Sequence, residues 1–161
     1  MAELKYAKNI ITEDLMPPQP AEAIKMMEDQ AKAGRTFDRT LLLGIQDSIL
    51  KGSFFAGCEW IWGLTGNGPV SIEIPHSHDF DEIIGFAGSN RNHPRDLGGE
   101  IEFHMGGEKH IITKSCLIFI PRGVEHCPVV FKRVDTPIFM FEAGNNTAYE
   151  KIMEKNQGEP K

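Results

Sequence analysis

After Phe37 the sequence breaks into about ten short runs rich in β-branched and aromatic residues, each closed by Gly, Pro, Asn or Asp. They cover residues 41–43, 53–55, 58–62, 70–74, 83–86, 100–105, 110–113, 117–120, 129–131 and 138–141. Strands at this spacing, with no helical pattern between them, exclude a βαβ fold and predict an all-β antiparallel barrel or double-sheet sandwich. Gly106-Gly107, between two alternating runs, reads as a hairpin turn. Residues 87–99, polar and rich in turn formers, read as one long loop of the kind that often carries function.

Ahead of the strands lies a leader, residues 1–37, with one amphipathic helix over 21–33. Ala23, Ile24, Met27 and Ala31 recur at helical spacing, and Gly34 supplies the stop. The barrel is assigned to residues 38–145. A tail follows over 146–161, with room for a short helix around 149–155. A chain of 161 residues is long enough for one self-sufficient core.

Lys and Arg number 17 against 23 Asp and Glu, a net charge of -6, which leaves no general field for a polyphosphate backbone. Nucleic acid is therefore not an expected partner. No apolar run approaches the roughly 18 residues of a membrane helix, and the first residues lack an apolar signal core. Cys58, Cys116 and Cys127 form an odd set without a C-x-x-C pair and read as reduced thiols, so a cytoplasmic location is expected.

The chemistry concentrates in two places. In His76-Ser77-His78 the two imidazoles are two residues apart, so on an extended chain they share a face. Glu82 has the same parity if the strand runs on without a bulge. Two imidazoles and a carboxylate suit a first-row divalent metal, and a further ligand has to come from another strand. An apolar run at 117–120 enters the turn Pro121-Arg122-Gly123, and His126 opens the run after it.

With these residues in place the sequence resembles the cupin superfamily. Its first motif is a glycine, a His-x-His pair, a glutamate three or four residues on, and another glycine; its second is Pro-x-Gly-x-x-His. His76, His78, Glu82 and Gly88 match the first, and Pro121, Gly123 and His126 the second. Gly68 lies further from His76 than the pattern has it, Glu82 to Gly88 is one residue short, and Ser115 and Val130 replace a glycine and an asparagine. The resemblance spans roughly residues 38–142. It implies a cupin-type antiparallel barrel, or double-stranded β-helix (jelly roll), holding one divalent metal per chain through His76, His78, Glu82 and His126. Fe, Mn, Ni, Co and Zn all fit that set.

Other residues carry weaker expectations. Trp60 and Trp62 fall on one sheet face, for packing or for lining a ligand pocket. Arg91 and Arg95 in the long loop are solvated charges or partners of an anionic substrate. His104 faces outward if Ile101, Phe103 and Met105 face the core, and otherwise serves the pocket. Three His and one Glu leave one or two metal positions open, which makes a reaction platform. The expected function is thus a metal-dependent enzyme acting on a small oxygen-rich organic molecule, of dioxygenase type. The alternatives are a metal-dependent isomerase, decarboxylase or lyase, and a non-catalytic metal- and ligand-binding module. No catalytic residue is assigned. A homodimer is expected, through the leader and residues 41–43.

Overall fold

The computed structural model describes residues 4–13, 15 and 19–153. A 3-10 turn, Ala7–Asn9, precedes helix α1, Ala21–Lys32. Nine strands follow: β1 Thr36–Ile45, β2 Ala56–Thr65, β3 Val70–Ser71, β4 Glu82–Gly88, β5 Asp96–Met105, β6 Glu108–Lys114, β7 Cys116–Ile120, β8 His126–Val134 and β9 Ile138–Gly144. One sheet runs in the order β1, β2, β9, β4, β7 and the other β3, β8, β5, β6. Every pairing is antiparallel. This is the antiparallel double-sheet barrel expected from the strand runs and from the resemblance. Among the described residues no helix is long and apolar enough to cross a membrane.

Alternation along the strands builds the interior. Ile61, Ile84, Phe86, Leu97, Ile101, Phe103, Val129, Phe131, Ile138 and Met140 meet between the sheets, all buried. Burying side chains of this size contributes about 1.5–3 kcal/mol each. On β2, Glu59 and Ile61 take the inner face, so Trp60 and Trp62 go outside. There they stack with centroids 5.3 Å apart, and the Trp62 indole N–H donates to Thr40 Oγ1 at 2.9 Å.

The helix stops where the glycine predicted. Gly34 takes φ +74°, its N–H donates to the Ala31 carbonyl, and the N–H of Arg35 reaches back to Gln30, which together close the last turn. Gln30 then docks α1 on the sheet edge. Its side-chain amide donates to the Ser71 carbonyl at 2.9 Å, and its oxygen accepts the Ser71 N–H at 2.7 Å. The helix therefore covers β3, an edge strand that would otherwise present unpaired backbone.

Four expectations need correction. The run at 53–55 is no strand: residues 47–52 turn back on themselves, with Asp47 accepting the Gly52 N–H. The Phe55 N–H is taken by Asn146. The long polar loop shrinks to 89–95, because residues 87–88 extend β4 and 96–99 belong to β5. Residues 149–153 are not helical. Ser77 and Ile152 exchange both backbone hydrogen bonds, so the segment spends its polar groups across the barrel mouth rather than within a turn; 154–155 lie outside the described residues. Finally, only Val70–Ser71 of the run at 70–74 is strand.

Candidate metal centre

Backbone pairing puts the two histidine segments side by side. His76 and His126 exchange N–H to carbonyl bonds of 3.1 and 2.9 Å. His126 follows a turn in which the Val124 N–H donates to Pro121 at 3.1 Å and Gly123 takes φ +78°, the position that favours glycine in a type II turn. A register slip then re-aims β8. Phe103 pairs with Val129 and Met105 with His126, so Cys127 and Pro128 together oppose His104. This bulge lets His126 and Val129, three residues apart, both point inward.

Glu82 arrives by another route than parity suggested. The chain bends at 79–80 after His78, and β4 begins afresh at Glu82, held between Ile120 on β7 and Gly144 on β9. Asp81 braces the corner by accepting the Arg122 N–H at 2.9 Å.

The four side chains converge, each no more than 2% exposed. His76 Nε2 lies 3.1 Å from His78 Nε2; Glu82 Oε2 lies 3.0 Å from His126 Nε2 and 3.5 Å from His78 Nε2. The opposite ring nitrogens fix the tautomers. Nδ1–H of His76 donates to Ile74 at 2.7 Å, that of His126 to Val124 at 3.0 Å, and that of His78 to the Glu150 carbonyl. A carbonyl only accepts, so each Nε2 turns a bare lone pair toward the others. Among the described residues, both Glu82 oxygens and His126 Nε2 are buried without a hydrogen-bond partner. A carboxylate and a lone pair left without donors are costly in an apolar barrel, and a cation resolves that cost.

Protonation agrees. Burial, reinforced by the neighbouring histidines and Lys151, lowers the His76 pKa to about 3. Burial works to raise Glu82, but its contacts with His126 and His78 outweigh that and bring it to about 2. A neutral His76 imidazole and an ionised Glu82 carboxylate fit a first-row divalent ion.

Beside the cluster a cavity of about 210 Å³ opens between the sheets. Its wall includes Ile72, Ile84, Val129 and Met140, with Cys127 and Tyr149 at the cluster's side. Three carboxylates reach it. Glu59 is paired with Arg39 at 3.3 Å, and burial raises its pKa. Glu73 is paired with Lys151 at 2.7 Å. Glu142 has no cationic partner among the described residues; burial, then repulsion from Glu82, Glu59 and Glu73, raises it to about 8. Burial also raises the Cys127 thiol and the Tyr149 phenol well above their ordinary values. The Tyr149 hydroxyl donates to His76 Nε2 at 3.2 Å. The possible metal donors fall into two overlapping groups, His78 with Glu82 and His126, and His76 with His126 and Cys127.

The other site residues singled out in the sequence lie away from this cavity. Arg91 and Arg95 are exposed in the loop after Gly88, the far end of β4 from Glu82, and seven residues of strand put about 20 Å between those ends. Trp60 and Trp62 lie on the outer sheet face. His104 also points outward, with Nε2 2.8 Å from Glu102, because Ile101 and Phe103 take the inner positions. Glu59 and Glu142 had a signal that went unread: each is a charge at the inward parity of an apolar strand. Tyr149 had none.

No family model and no curated protein matches the chain. Among solved structures, an oxalate oxidase is similar over 72% of this chain and 55% of its own, at 15% identity and a TM-score of 0.46. KdgF from Halomonas sp. is similar over 71% of this chain and 82% of its own, at 16% identity and 0.40. A predicted oxalate decarboxylase from Thermotoga maritima is similar over 69% and 83%, at 16% identity and 0.43. The chain spans about half the length of the oxalate oxidases it matches.

Proposed function

We propose that this cupin-type barrel is a metal-dependent enzyme acting on a small oxygen-bearing organic molecule held between its sheets. Dioxygenase chemistry leads; isomerase, decarboxylase or lyase chemistry is the alternative. The observation that carries the reading is the buried gathering of three imidazole Nε2 acceptors and the Glu82 carboxylate beside a cavity. His76, His78, Glu82 and His126 would hold one divalent ion. Bound there, the ion supplies a Lewis acid and, if iron, a place for O₂.

The rest of the reading concerns the chain's own groups. The carbonyls of Ile74, Val124 and Glu150 hold the imidazoles in orientation. The apolar wall limits water. Glu142, with its pKa at about 8, keeps its proton at neutral pH and so offers a hydrogen bond into the cavity. Glu59 and Glu73 face the cavity already paired with cations. A neutral or singly charged substrate suits such a wall better than a polyanion. The outer face of the five-stranded sheet exposes Trp62, Ile83, Leu117 and Phe119, and a homodimer through that face is part of the same proposal.

The test is metal content after reconstitution with Fe, Mn, Ni, Co and Zn in turn, followed by O₂ uptake on catechols, thiols and keto acids. About one ion per chain with O₂ uptake supports the proposal. Turnover without O₂ uptake selects the alternative chemistry, and a bound ion without any turnover leaves a binding module. Failure to retain any of the five ions overturns the reading.

A further inference from the structure

We propose that the Tyr149 hydroxyl is a fifth protein donor to this centre, an assignment that rests on reading the centre as a metal site. The argument is one of spacing. With metal–ligand bonds of about 2.1 Å, adjacent donors of an octahedral set stand about 3.0 Å apart. The histidine and carboxylate atoms here are 3.0, 3.1 and 3.5 Å from their neighbours. Tyr149 Oη is 3.2 Å from His76 Nε2, one such edge away. It also lies where the cluster meets the cavity, which Tyr149 lines together with Cys127.

The position is built rather than incidental. The segment carrying Tyr149 is fastened on both sides: Phe55 N–H donates to Asn146 at 2.7 Å, Asp47 N–H to Thr147 at 2.9 Å, and Ser77 pairs with Ile152. The Glu150 carbonyl next to Tyr149 is the one that orients His78, so the tyrosine and a proposed ligand are set by consecutive residues. Its ring packs on Phe55, centroids 4.6 Å apart, and on His78 at 5.0 Å. In the metal-free protein the hydroxyl donates to the bare His76 Nε2. With an ion held there, the hydroxyl would give up that hydrogen bond and its proton would pass to solvent. The consequence is that Tyr149 closes one of the positions a three-histidine, one-carboxylate set leaves open, and an incoming substrate has to share or displace it.

The chain has 2 tyrosines, and the other, Tyr6, is 66% exposed, so a phenolate signal from the centre has one source. Loading the full chain with Fe(III) should produce a visible phenolate-to-iron charge-transfer band. Tyr149→Phe should abolish it while iron content stays at the wild-type level, and Tyr6→Phe should leave it intact. Resonance Raman excitation within the band of the wild-type protein should enhance tyrosinate ring modes, which keeps the test decisive if Tyr149→Phe does not fold. Bound iron without the band, or a band that survives in Tyr149→Phe, overturns the assignment and leaves the four-residue centre standing. A wild-type chain that holds no metal overturns both.

Discussion

The histidine end of the barrel and the carboxylate wall of the cavity lie on neighbouring strands, yet they drive equivalent groups in opposite directions. Glu82 begins β4, and Glu142 on β9 pairs with Ile84 two residues along, so both carboxylates come from one sheet and point inward. Burial acts on each. At Glu82 the imidazoles of His126 and His78 outweigh it and the pKa falls to about 2; at Glu142 other carboxylates reinforce it and the pKa rises to about 8. The same residue type thus serves as a permanent anion in one place and as a proton-bearing donor a strand away. Neighbours, not depth, decide which.

The contrast breaks most visibly at the histidine end. Replacing His126 by Ala should lower metal affinity by more than the ~10–100-fold cost of disturbing an outer partner, because it removes a donor itself. Metal-stripped His126→Ala should still fold, at the cost of the Nδ1–H bond to Val124 and of the packing of one buried ring. Gly123→Val should behave in reverse. Its Cβ would meet open space, so its whole cost is backbone strain at φ +78°, about 1–3 kcal/mol, which lowers melting even without metal. Calorimetry on stripped and loaded protein separates the two.

A smaller effect tests the cavity wall. Glu142 has its folded pKa raised above the ordinary 4.5, so its contribution is intact below 4.5 and is lost as pH rises toward about 8. Metal-free wild type should therefore lose stability over that window. Glu142→Gln should flatten the loss, with a relative gain on the order of a few kcal/mol at pH 9 and none at pH 4. Glu82 and His76 have lowered values and work the other way, costing stability only as pH falls, His76 from 6.5 toward about 3 and Glu82 from 4.5 toward about 2. A melting curve for Glu142→Gln that parallels wild type from pH 4 to 9 would show that Glu142 is compensated in solution.

The smallest expected effect marks the far end of β4. Arg91→Ala and Arg95→Ala should each stay within about 0.5 kcal/mol of wild type and leave metal content and turnover unchanged, as exposed loop positions do. A loss of turnover in either would return the loop to the substrate path.

What the sequence alone determined is what depends on short spans. His-x-His alternation, the glycine after Pro121-Arg122, the Gly106-Gly107 hairpin and the Gly34 helix stop are set by φ/ψ preferences and period-two geometry within a few residues. The strand runs were readable for the same reason, apart from 72–74 and from 53–55, where apolar character served a buried Phe55 in a loop. The tertiary structure decided what depends on which strands meet. Glu82 joins the histidines through pairing with β7 and β9 rather than through its spacing from His78. Glu59 and Glu142 share a cavity because β2 lies beside β9. Tyr149 reaches His76, 73 positions earlier, because backbone bonds from Ser77, Asp47 and Phe55 lay its segment across the barrel mouth. Such contacts are settled by chain closure over long separations, and no local residue pattern encodes them.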